Sequence, residues 1–98
     1  MSLDREAAGR IADEHLRRWR TGTTYGELVQ RDLHRSTVDS EVTEGGTTYR
    51  VSATVWREQG DPAMVMTVKV KRAGGGLFSR SVLRQGRMHP DGTYVDGL

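Results

Sequence analysis

The chain contains no cysteine. That excludes a disulfide framework, a thiolate nucleophile and any cysteine-ligated metal. A chain without disulfides gains nothing from an oxidising compartment, so the expectation is cytoplasmic. No apolar run approaches the roughly 18 residues that would mark a membrane helix, so no membrane partner is expected. The N-terminal stretch lacks the apolar core of a secretory signal. Lysine is scarce: Lys69 and Lys71 are the only two, and the remainder of the 15 basic residues are arginine. Arginine suits phosphate and carboxylate recognition because its guanidinium is a planar fork. A GC-rich coding bias gives the same excess without any such role. The net charge of +2 is modest for a dedicated polyanion binder.

Several chemical signatures are also missing. There is no G-x-x-x-x-G-K-[ST] and no G-x-G-x-x-G. His15, His34 and His89 stand in neither H-x-x-x-H nor H-E-x-x-H spacing, so no metal site is expected. No serine has an elbow motif or a neighbouring base. Asp13 and Glu14 are adjacent on a helical segment and point about 100° apart, so they cannot share a proton; they pair instead with Arg10, Arg17 and Arg18. No catalytic residue, cofactor site or metal site is assigned, and the reading leans away from an enzyme.

What is present is a globular composition, with 35% hydrophobic and 29% charged residues. Ninety-eight residues make one domain, 1–98. A chain of this size buries about 60–65% of its unfolded surface, enough for one modest core. No internal repeat or low-complexity segment occurs.

From Leu3 to Arg20 the apolar residues Ala8, Ile11, Ala12, Leu16 and Trp19 recur at steps of three and four, which predicts an amphipathic helix. Acidic residues open it and arginines close it, as the helix dipole favours. Thr24 and Glu27 form a capping-box pair, and Tyr25, Leu28, Val29 and Leu33 then predict a short second helix over 25–33. From Thr37 the period becomes two. Strands are expected around Val38–Val42, Tyr49–Trp56, Met64–Lys71 and Leu77–Arg84. Turns fall at Gly45-Gly46, Gly60-Asp61 and Gly74-Gly75-Gly76. Pro90-Asp91-Gly92 marks one more turn, with room for a short last strand around Thr93–Val95. The three glycines are followed by a strand and not by a helix N-terminus, so they read as a hairpin loop and not as a phosphate cradle.

The expected fold class is therefore α+β: an N-terminal helix and a short second helix packed on one face of a four-stranded antiparallel meander. This element order is similar to that of cystatin-like folds and of short NTF2-like folds. The likeness is of architecture alone and rests on no motif.

Centring the turns pairs Trp56 with Val65 and Arg50 with Lys71, and then Lys69 with Arg80 and Thr67 with Val82. The inner face is expected to hold Val38, Val42, Tyr49, Val51, Ala53, Val55, Met64, Met66, Val68, Val70, Leu77 and Leu83. The outer face is expected to carry two patches. Trp56, Val65 and Val82 form an apolar patch, read as a self-association surface that makes the chain a homodimer or joins it to a protein partner. Arg50, Lys69, Lys71, Arg80 and Phe78 form a basic-aromatic patch, an alternative surface for single-stranded nucleic acid. A third alternative is a small-molecule pocket between helix and sheet lined by His15, Tyr49 and Met64.

Overall fold

A computed structural model describes residues 5–74 and 81–97 of the chain. Helix α1 (Arg5–Gly22) is followed by α2 (Tyr25–Leu33) and by strands β1 (Thr37–Glu44), β2 (Thr47–Trp56), β3 (Met64–Arg72), β4 (Ser81–Met88) and β5 (Tyr94–Asp96). The strands form one antiparallel sheet in the order β1-β2-β3-β4-β5. This is an α+β architecture with five strands, one more than the four of the expected meander. The fifth is the short strand that follows the Pro90–Gly92 turn.

The helices start where local chemistry dictates. Thr24 caps α2: its side chain accepts a hydrogen bond from the Glu27 amide at 3.2 Å. That satisfies one of the amide donors that a helix start leaves without an intrahelical partner. Gly45 and Gly46 both have positive φ, 59° and 79°, as a tight two-residue hairpin requires. β1 and β2 pair around them with Glu41 opposite Arg50, and β2 and β3 pair with Trp56 opposite Val65. The β2–β3 register is the one predicted from turn position.

The helices rest mainly on β2, β3 and β4. Ala8, Ile11, Ala12, Leu16 and Leu28 pack there on Val51, Val55, Met64, Met66, Val68 and Val70. Each buried Val, Leu or Met contributes about 1.5–3 kcal/mol. β1 lies beyond the helix cover, so Val38 is on the expected face but 50% exposed.

The β3–β4 register differs from the expectation. Lys69 pairs with Leu83 and Lys71 with Ser81, a shift of three residues. An odd shift exchanges the two faces of a strand. Val82 therefore lies on the helix side, opposite Val70 and 7% exposed, while Leu83 lies on the open side, 48% exposed. Leu77 lies outside the described residues.

The inner face of β4 reads Val82, Arg84, Gly86, Met88. Arg84 answers α1 through an Nε–Oδ1 bond of 2.9 Å to Asp13. A Cβ on Gly86 would collide with the phenol end of Tyr94, at its hydroxyl oxygen and Cζ. Tyr94 thus fills from β5 the space that Gly86 leaves empty, and the Arg20 guanidinium covers its ring with a centroid distance of 4.8 Å.

Candidate functional site

The face of the sheet away from the helices is covered by no described element. Register sorts its side chains into four rows across the strands. Glu41, Arg50, Lys71 and Ser81 form the first; Asp39, Ser52, Lys69 and Leu83 the second. Thr37, Thr54, Thr67 and Gln85 form the third; Trp56, Val65, Arg87 and Val95 the fourth.

The fourth row is tied down by polar bonds. Trp56 Nε1 donates to Thr67 Oγ1 at 3.1 Å, and Gln85 Nε2 donates to the same oxygen at 3.1 Å. Arg87 spreads its fork over two carboxylates of the β2–β3 connection, Asp61 at 2.7 Å and Glu58 at 3.1 Å. Val65 sits between Trp56 and Arg87 in this row, and these long neighbours leave it only 1% exposed. Val65 therefore offers no surface to a partner; it is a small second core under Trp56.

The expected apolar patch of Trp56, Val65 and Val82 is thus not one surface. Trp56 is half-buried on the open face, Val65 lies beneath it, and Val82 belongs to the helix-side core. The apolar groups that do reach solvent there are Leu83 and Val95, the latter 51% exposed. They flank Gln85 and Arg87. Sequence reasoning missed Leu83 because it paired β4 with β3 three residues early, and it gave Val95 no face. The alternation Val82, Gly86, Met88, which sends 83, 85 and 87 to the other face, was the available signal, but Arg84 and Gly86 interrupt its apolar character.

Three of the expected cations meet. Arg50 stands directly opposite Lys71, and Lys69 is two residues away on the same strand face. No described carboxylate forms an ion pair with any of them. Asp39 is occupied by the Ser52 hydroxyl, which donates to it at 2.7 Å. Two like charges directly across a strand pair are unfavourable unless an anion joins them. Phe78 and Arg80 lie outside the described residues. Lys69 neighbours Leu83 where Arg80 was expected.

His15, Tyr49 and Met64 do not line one cavity. Tyr49 pairs with Arg72, and Met64 is at the other end of β3, about 26 Å along the strand. Tyr49 and Met64 are both buried in the core. His15 is half-buried on α1, where burial and then the Arg18 guanidinium hold its imidazole below the usual histidine range.

Among the described residues, no group of three or more His, Asp or Glu side chains could hold a metal ion. No described helix is long and apolar enough to cross a membrane. No protein-family model, curated protein or solved structure matches this chain, so its surfaces are read from their own chemistry.

Proposed function

We propose that this chain is a small non-enzymatic interaction domain that associates with a second copy through the open face of its sheet. The observation that supports this is one-sided covering. Helices bury one face, while the other leaves Leu83 and Val95 about half exposed, at 48% and 51%, beside the half-buried Trp56. An uncovered sheet face with exposed apolar side chains, here on its β4–β5 side, is what a two-fold contact buries. Gln85 lies between these apolar groups and Lys69 beside Leu83, so such a contact is of mixed character. The absence of cysteine suits a reducing compartment, and we assign the chain to the cytoplasm.

Sedimentation velocity over a concentration series tests the reading. A dimer is expected at micromolar concentration, and Leu83→Glu or Val95→Glu is expected to return the monomer without unfolding the chain. A wild-type monomer at every concentration overturns it.

A second reading follows from Arg50 facing Lys71 with Glu41 opposite Arg50 on β1 and no described carboxylate ion-paired to either cation. The basic rows then take the phosphates of single-stranded nucleic acid. Binding of an oligonucleotide at about 50 mM salt, lost in Lys69→Glu and weakened steeply by added salt, is the expected result. Binding unchanged by Lys69→Glu ends this reading.

A further inference from the structure

β4 has eight residues, but β5 pairs only with Gly86, Arg87 and Met88. The Gly97 amide adds one bond to the Gln85 carbonyl at 2.8 Å, and there the pairing stops. Along Ser81–Arg84, no described strand lies on that side. In an antiparallel ladder, alternate residues turn their N–H and C=O groups to the same side. Since the Gln85 carbonyl faces β5, the amides and carbonyls of Leu83 and Ser81 face the side along which no described strand lies. Among the described residues, the Leu83 carbonyl is met there by the guanidinium of Arg84, Nη1 to O 3.1 Å. A row of unpaired backbone groups of this kind is a template for another strand.

The surroundings of this edge are basic. Between α1 and β4 runs a groove of about 530 Å³, lined by Leu16, Arg17 and Arg20 from the helix and by Leu83 and Arg84 from the strand. A second hollow of about 370 Å³ continues it past Ser81 to Arg5. Two carboxylates share the groove: Asp13, which holds Arg84 Nε, and Asp96 at the end of β5. Among the described residues, four guanidiniums thus stand against two carboxylates. The opposite edge, β1, carries Asp39, Glu41 and Glu44 and no basic residue. The sheet is therefore polar from edge to edge, with its free β4 segment at the cationic end.

We propose that the free edge of β4 receives an extended, acidic peptide of another protein as a sixth strand. Pairing with Leu83 and Ser81 supplies the main-chain bonds. Side chains of an added strand alternate between faces. One set turns toward α1, where Arg17, Arg20 and Arg84 favour carboxylates; the other lies beside exposed Leu83 and favours apolar groups. The recognised pattern is thus acidic and apolar residues in strict alternation. Arg84 releases the Leu83 carbonyl to a peptide amide and turns its charge to a peptide carboxylate. The Leu83 side chain also belongs to the open face, but the edge itself consists of the backbone of Ser81 and Leu83 beside the guanidiniums along α1, so the proposal does not rest on self-association.

The test is amide chemical-shift titration of the isotope-labelled chain with three synthetic peptides. They are acetyl-Thr-Glu-Val-Glu-Val-Glu-amide, its analogue with Lys for Glu, and the acidic peptide N-methylated on its backbone. The acidic peptide is expected to saturate, with the largest shifts at the Ser81 and Leu83 amides. The lysine analogue is expected to bind at least about tenfold more weakly, and the N-methylated one not to bind. Arg17→Glu, an exposed helix position, is expected to weaken the acidic peptide about tenfold while circular dichroism stays unchanged; Arg84→Gln provides a second, milder variant. No binding by the acidic peptide, equal binding of the acidic and lysine peptides, retained binding of the N-methylated one, or shifts centred on Arg50, Lys69 and Lys71 each overturn the proposal. Sedimentation of the same samples reads self-association separately.

Discussion

Strand β3 gives its two sides opposite tasks within nine residues. Met64, Met66, Val68 and Val70 face the helices and are inaccessible to solvent; Thr67, Lys69 and Lys71 face outward and remain at least partly wet. The side under the helices carries the folding free energy, because only there is a large apolar area removed from water. The open side is held by individual polar bonds, each worth about 0.5–1.5 kcal/mol, so it tolerates change and is free for recognition. Val65 breaks the symmetry: it faces outward and is buried all the same, under Trp56 and Arg87.

The sharpest way to break this contrast is a matched pair of truncations. Met66→Ala is expected to lower stability by about 2–5 kcal/mol, whereas Lys69→Ala stays within about 0.5 kcal/mol. Urea denaturation of both variants checks this, and equal losses would erase the distinction between the faces. Next comes the place where β5, not a helix, provides the cover. Gly86→Ala drives a methyl group into the Tyr94 ring and is expected to cost about 1–3 kcal/mol. Hydrogen exchange of the Tyr94–Asp96 amides should accelerate beyond that of β3; uniform acceleration would show that β5 is not a separate cover. On the open face, Trp56→Phe keeps a ring over Val65 but removes the donor to Thr67, for an expected loss of about 0.5–1.5 kcal/mol in the same urea assay. A loss as large as that of Met66→Ala would make the open face a second main core.

The smallest expected effect is one of pH. Burial, with the Asp96 carboxylate adding to it and the Arg20 guanidinium opposing it, pushes the Tyr94 phenol up to about 12. In the unfolded chain a tyrosine ionises near about 10. The unfolded state therefore releases its proton first, and the Tyr94 contribution, fully present below about pH 10, is lost as pH rises towards 12. Tyr94→Phe is expected to flatten this part of the stability curve, as followed by urea midpoints at successive alkaline pH values. An unchanged slope would place the phenol in water.

The legible parts of this molecule are those governed by neighbours in sequence. The α2 span follows from Thr24, Glu27 and the stripe Tyr25, Leu28, Val29, and the structure places it at Tyr25–Leu33. The β1–β2 and β2–β3 registers follow from compact turns at Gly45-Gly46 and Gly60 with unbroken apolar alternation on the inner side. The β3–β4 register was not legible for two reasons. A run of glycines adopts many loop geometries and specifies no offset. The inner positions Arg84 and Gly86 also look wrong for a core until Asp13 and Tyr94 are seen to complete them. That single offset exchanged Val82 and Leu83, and with them the composition of the candidate surface.

Residue pattern alone determined that a helical segment precedes strands, which residues of each strand share a side, and that the positive charge is carried mostly by arginine. Those properties depend on a few adjacent dihedrals and on side-chain type, both of which are local. Tertiary structure decided the offset of β4 against β3, the half-wet state of Val38, the burial of Val65 and the outer side of Ser81–Arg84, along which no described strand pairs. Each of these depends on which distant segment comes to lie alongside, and that is set by the summed packing of helices, loops and strands rather than by any one of them.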